Sequence, residues 1–378
     1  MKKMILAVPA LVLSLLACTP TPVVLDTCTT EISSANSNNI ISSNTTWVNS
    51  ASSCDYLIKN SVEVSAAATL TIAAGTTIQF ETGTRMQLLG ILIANGSSNA
   101  RITLRGATQN AGFWNGIRLF NAGSNQMAFV NISDTAVAAI FVRNTKLALS
   151  DSRISNNSGY GLEIDSQSAD LTGFARNVFS GTVLSGVKLS LKNIKYLDSA
   201  TDYHGTGAGN TPNGKSSIEI SNGLLESPET ATLKAQKYLI ADSLNIDAAL
   251  TIEPGAVLEF ASGNGIYINS PQGSLSAIGS SSQRIGFRGV TPNAGTWIGM
   301  VIGSQSMINR LEFVDIMHTG SASGVVGALY LNGGKMIIKD SSFSNNSYYG
   351  INRGFDPSAL TDLGGNTFAN NSLGNFAP

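Results

Sequence analysis

The sequence is short of charge. Asp, Glu, Lys and Arg make up 12% of its 378 residues and the formal net charge is −1, where soluble domains usually carry about 25% charged residues. That removes the basic footprint needed to hold nucleic acid and the like-charge blocks of an interaction tail. Histidine is scarcer still, with only His204 and His318. Cysteine occurs three times, at positions 18, 28 and 54. No histidine stands near the last two, so no metal site is expected. Long runs of 3.6-residue period rich in Ala, Leu, Glu and Lys are missing outside the first seventeen residues, which excludes a helical-repeat architecture.

Gly, Ser, Thr and Asn supply the missing polarity, and these are residues of turns and strands. They are arranged in an internal duplication. Leu70 to Phe80 reads LTIAAGTTIQF and Leu250 to Phe260 reads LTIEPGAVLEF, 180 positions apart. Arg105-Gly106 returns as Arg288-Gly289, and Trp114 and Trp297 stand alike inside Gly-x-Trp-x-Gly. Ser152 to Ser158 returns as Ser341 to Ser347, with the offset grown to 189. Small loop insertions therefore separate the copies while their strands are kept.

Within each copy an apolar strand position recurs. Phe80, Leu104, Ile132, Ile154 and Phe179 are spaced by 24, 28, 22 and 25 residues, and Phe260, Phe287, Ile316, Phe343 and Phe368 by 27, 29, 27 and 25. Short β-like segments at that period, parted by Gly, Asn and Ser, predict an all-β chain folded as a parallel β-solenoid with one coil per repeat. The pairs Asn156-Asn157, Asn345-Asn346 and Asn370-Asn371 fall just after ladder positions, where the chain must turn and Asn tolerates the left-handed conformation. Asn177 and Asn366 have inward parity and are expected to form side-chain amide ladders.

The chain divides accordingly. Residues 1–17 are a charged and then apolar export signal, 18–55 a tether and N-terminal cap, 56–199 the first half, 200–235 a connecting loop and 236–378 the second half. Leu15-Leu16-Ala17-Cys18 resembles the lipobox of bacterial lipoproteins, which implies lipidation of Cys18 and attachment to a membrane in the cell envelope or at the cell surface. Removing Cys18 leaves Cys28 and Cys54, an even pair expected to form a disulfide in an oxidising compartment.

From Tyr56 onward, apart from the central loop, the pattern LTI-x-x-G-x-x-[IL]-x-F followed by G-x-W-x-G-[IM] and Asn-containing coils resembles the right-handed parallel β-helix superfamily called pectin-lyase-like. The resemblance implies a right-handed β-helix built from two duplicated halves. It implies no single activity, because the superfamily mixes polysaccharide lyases, glycoside hydrolases and non-catalytic surface proteins.

Gly209-Asn-Thr-Pro-Asn-Gly214-Lys215-Ser216 spells a phosphate-loop motif, but no strand-to-helix context surrounds it, so neither a nucleotide nor any other cofactor is expected. Outward positions next to the ladder carry two carboxylates, Glu259 and Asp315, two coils or about 10 Å apart by strand spacing, with Arg288 on the coil between. They are the catalytic candidates. Trp114, Trp297, Arg105 and Arg288 are the candidate glycan contacts, and the competing reading of the tryptophans is that each closes a turn over the core. The expectation is a lipid-anchored envelope protein that serves as a non-catalytic binding or structural scaffold, with a polysaccharide or other envelope proteins as partners; the alternative is a polysaccharide-active hydrolase or lyase on the same fold.

Overall fold

The computed structural model describes residues 28–120, 123–320 and 324–378. The export signal and Cys18 lie outside the described residues. The chain is a parallel β-solenoid with one 14-stranded sheet running its length, and its paired strands are parallel. The Cys28–Cys54 disulfide is formed beneath the first coils, as it would be in an oxidising compartment.

In the first half each coil has three faces. Thr77–Phe80, Met86–Leu88 and Ile91–Asn95 make one coil, and Ile102–Gly106 begins the next directly above Thr77–Phe80. The first face is a seven-stranded sheet, the third a six-stranded one, and the second belongs to the 14-stranded sheet. Alternation sets the inside and outside: in Leu162–Ile164 and Val187–Ser190 the apolar residues are buried and Glu163 and Lys188 face outward, half-buried. A coil cannot bury its inner side alone, and each apolar residue stacked on its neighbour contributes about 2 kcal/mol.

The apolar ladder runs through Ile78, Leu104, Ile132, Ile154 and Phe179, and again through Leu258, Phe287, Ile316, Phe343 and Phe368. Phe80 and Phe260, expected as its first members, sit one inward position further along, opposite Gly106 and Gly289. The repeated Arg-Gly and Gly-x-Trp motifs thereby acquire a joint cause. Glycine puts no side chain beside the phenylalanine, and the indole of Trp114 stacks over Phe80 at 3.8 Å, as that of Trp297 does over Phe260 at 4.1 Å.

Asn156, Asn345 and Asn370 take φ of 54°, 56° and 54°, the left-handed turn expected of them. Their neighbours are buried hydrogen-bond posts: Asn157 Oδ1 accepts from the backbone N–H and hydroxyl of Thr135, and Asn346 does the same for Thr319. Asn177 and Asn366 do not stack on one another. Their side-chain oxygens accept from the backbone N–H groups of Ser152 and Ser341, which face them across a coil.

The two copies join with a rotation of one face. After Val187–Ser190 a 3-10 helix, Leu191–Tyr196, stands in the third face, where Asn193 accepts from the backbone of Leu171. The loop around Asp202 continues the first face by a bridge to Val178. The segment read as a connecting loop then holds two strands, Ile218–Asn222 in the 14-stranded sheet and the ten-residue Leu224–Leu233. Next comes Lys237–Ile240, the repeat equivalent of first-face strand Tyr56–Ile58. It pairs with Ile218–Asn222 and so stacks on the second face of the first copy.

A two-residue difference reshapes the following corner. Val62 to Leu70 spans eight positions around the turn at Ser65 to Ala68, but Leu244 to Leu250 spans six. With no residues left for a turn, Leu244–Ile252 runs as one nine-residue strand. Its ends pair with Ile266–Ile268 and Ser274–Ile278, and the 11-stranded sheet forks there into two faces.

Candidate functional site

The rotation decides which side chains share a surface. Along the outer side of the 14-stranded sheet, one residue per strand stands in register: Glu63, Gln87, Arg118, Phe141, Glu163, Lys188, Glu219, Leu239, Glu259 and Arg288. The column crosses the join without a break. The second copy's Glu259 therefore follows the first copy's Lys188, while Gln79, its sequence counterpart, lies on the seven-stranded sheet.

The sequence-predicted residues are not gathered into one site. Trp114 and Trp297 are fully buried, and their indole N–H groups donate to the carbonyls of Ser133 and Met317 at 2.7 Å. Neither offers a ring face to a sugar, which corrects their reading as glycan contacts. Arg105 and Arg288 occupy different sheets. Glu259 is held between Lys237 at 3.0 Å and Arg288 at 2.8 Å, and Asp315 is held by Arg284 at 2.8 Å. Asp315 stands in register with Gly286 and Val257, two residues along from Glu259. Two rungs plus two residues separate these carboxylates by about 12 Å, and different arginines hold them, so they do not form the expected pair.

Sequence reasoning missed the more concentrated cluster. Glu163, Lys188 and Glu219 are consecutive in the column, which puts the two glutamates two rungs or about 10 Å apart. Lys188 Nζ is 3.0 Å from Glu163 Oε1. Glu219 is 5% exposed, and its Oε1 accepts from the Tyr160 hydroxyl at 2.9 Å. Its Oε2 receives no hydrogen bond, and the nearest cation, Lys215 Nζ, is 3.6 Å away. Burial, and after it the hydrogen bond to Glu219, push the Tyr160 phenol well above the ordinary tyrosine range. Two rungs back, Arg118 is pushed down to about 10 by burial and lies 5.3 Å from the centre of the Phe141 ring. The signal was present in the sequence as three tripeptides, Leu162-Glu-Ile164, Val187-Lys-Leu189 and Ile218-Glu-Ile220, each a charge between two apolar residues.

Beside the column a cleft of about 520 Å³ opens where the strands end, lined among others by Asp165, Lys188, Asn222, Asp242, Ser243 and Asn245. It exists because of the join. Ser221 is an extra residue between Ile220 and Asn222 that shifts the register against Leu189 and Ser190, and at Gly223 the chain leaves directly into the long strand Leu224–Leu233. Asp165 is paired with Arg143, while Asp242 is exposed. No cluster of His, Cys, Asp and Glu able to hold a metal ion occurs among the described residues.

No family model and no curated protein matches the chain. Among solved structures it is similar to the catalytic domain of a GH87 alpha-1,3-glucanase in complex with nigerose, with 12% identity, a TM-score of 0.25, and coverage of 86% of this chain. It spans 62% of the length of that solved chain. The likeness is with an enzyme and lends no support to the expectation of a non-catalytic scaffold. It is too slight to assign residues or substrate, so polysaccharide chemistry has to stand on this chain's own side chains.

Proposed function

We propose that the chain is an exported, polysaccharide-active hydrolase whose acid–base pair is Glu219 and Glu163. The observation that carries this reading is Glu219: a carboxyl group 95% buried, with one oxygen bound by Tyr160 and the other receiving no hydrogen bond. That second oxygen is the one free to carry a proton and give it to a glycosidic oxygen. Lys215, at the surface, is the group that a bound sugar displaces from above it. Glu163, in its ion pair with Lys188, takes a proton from the water that attacks the anomeric carbon while the bond to the departing sugar breaks. A separation of about 10 Å is just past the roughly 6.5–9.5 Å of pairs that hold such a water and far from the roughly 5 Å of retaining pairs.

The test is release of reducing ends from a panel of polysaccharides, α-1,3-glucan among them, by the wild type and by Glu219→Gln and Glu163→Gln variants shown to be folded by circular dichroism. Hydrolysis by the wild type and its loss, by about 100-fold or more, in both variants is expected. Turnover unchanged in the variants, or none by a folded wild type on any polysaccharide, overturns the reading.

Attachment to the membrane through a lipid on Cys18 is the second part of the proposal. It rests on the lipobox-like run ending at Cys18. A Cys18→Ala variant should move from the membrane fraction to the soluble fraction, and a wild type already soluble contradicts it.

A further inference from the structure

The charges around the column and cleft indicate what kind of glycan fits there, if the hydrolase reading holds. Four carboxylates surround the site: Glu163, Asp165, Glu219 and Asp242. Three cations answer them, Lys188 to Glu163 at 3.0 Å, Lys215 to Glu219 at 3.6 Å, and Arg143 to Asp165. Asp242 makes neither an ion pair nor a hydrogen bond among the described residues. Asp242, at the cleft wall, is the one of the four without a cation partner among the described residues.

We infer that the site selects neutral, hydroxyl-rich sugars and excludes uronic acids. Lys188, the cation that lines the cleft, already has a carboxylate partner, so an incoming uronate has to break that ion pair or sit close to Asp242. Either is unfavourable in a partly enclosed cleft, where charges about 6 Å apart still feel each other strongly. A neutral sugar meets the opposite situation. Its hydroxyls donate to the carboxylates of Asp242 and Asp165 and exchange hydrogen bonds with Asn222, Ser243 and Asn245. Glu219 stands one rung from Lys188, which lines the cleft, and its buried Oε2 receives no hydrogen bond.

The experiment is calorimetric titration of the full-length wild-type protein with a thio-linked, hydrolysis-resistant α-gluco-oligosaccharide and with a thio-linked oligogalacturonate of equal length, at low and at physiological salt. The neutral ligand should bind at least about tenfold more tightly, with the gap widest at low salt. Asp242→Asn should narrow the gap and Asp242→Lys should reverse it, both with unchanged melting temperature. Equal or tighter binding of the uronate, or a gap that both Asp242 variants leave untouched, overturns the inference. Hydrolysis of a polyuronate by the wild type overturns the selectivity while leaving the hydrolase reading intact, whereas a folded protein that neither binds nor cleaves any glycan removes both.

Discussion

Replacing Trp297 by alanine separates a core role from a binding role. The indole is fully buried, stacked on Phe260 at 4.1 Å, with its N–H on the carbonyl of Met317. A tryptophan of this kind buries about 150–250 Å², worth roughly 4–6 kcal/mol at 25 cal/mol per Å². Truncations of buried aromatics to alanine cost about 3–5 kcal/mol, since the site partly collapses. Losing the hydrogen bond leaves the Met317 carbonyl unpaired and adds about 1 kcal/mol. The expected cost is about 4 kcal/mol, a large part of the 5–15 kcal/mol that holds typical domains together. Trp297→Phe keeps the stack and should cost about 1.5 kcal/mol. Guanidinium unfolding should be followed by circular dichroism and by the fluorescence of Trp114 and Trp47, because a solenoid can lose one end before the other. The Trp297→Ala change should shift the transition of the second half most. A midpoint within about 0.5 kcal/mol of the wild type, together with lost retention on a glycan column, would refute the core assignment.

Three further outcomes follow from the same contacts. Cys54→Ser opens a loop of 26 residues and should cost about 3.5 kcal/mol by the chain-entropy model, read as a lower melting temperature that reductant reproduces in the wild type. Asn157→Leu leaves the backbone N–H of Thr135 without its acceptor and should cost about 2–3 kcal/mol in the same melts, whereas exposed Asn370→Ser should cost under 1 kcal/mol. Burial alone would raise the pKa of Asp202, but the backbone N–H groups of Gly207, His204 and Thr206 and the Asn210 amide outweigh it and hold the carboxyl below its ordinary value of 3.8. A depressed folded pKa means stability that is complete above 3.8 and lost as pH falls through the folded value. Melts taken from neutral pH down to about 2.5 should show that acid limb, and Asp202→Asn should flatten it; an unchanged limb contradicts the assignment.

The fold was legible because its causes are local and repeated. Alternating apolar residues, glycines and Asn pairs recur in each coil, and the structure uses Asn156, Asn345 and Asn370 as turns in the way their position implies. The strand register was less legible, since Phe80 and Leu104 look equivalent in sequence while Gly106 is the residue that faces Phe80. The site was least legible. Comparing the copies assigns Glu259 to the place of Gln79, but copies that match in sequence need not stack face to face. Inserting Ile218–Asn222 and Leu224–Leu233 rotates the second copy by one face. Glu163 and Lys188 already stack within the first copy, and Glu219 joins them from the inserted strand Ile218–Asn222, so no comparison of one copy with the other brings all three together. The buried tryptophans were ambiguous for a different reason: Gly-x-Trp-x-Gly has the same spelling whether the ring faces sugar or Phe80.

The most direct test of the assigned pair is the anomer first released. Two carboxylates about 10 Å apart act on a water held between them and invert the anomeric centre, whereas retention through a covalent intermediate needs a separation of about 5 Å. Proton NMR of the earliest product from the wild type should show inverted configuration, with the signal absent in Glu163→Gln and Glu219→Gln. A retained anomer, or an inverted one that persists in either variant, contradicts the role assigned to Glu163 and Glu219.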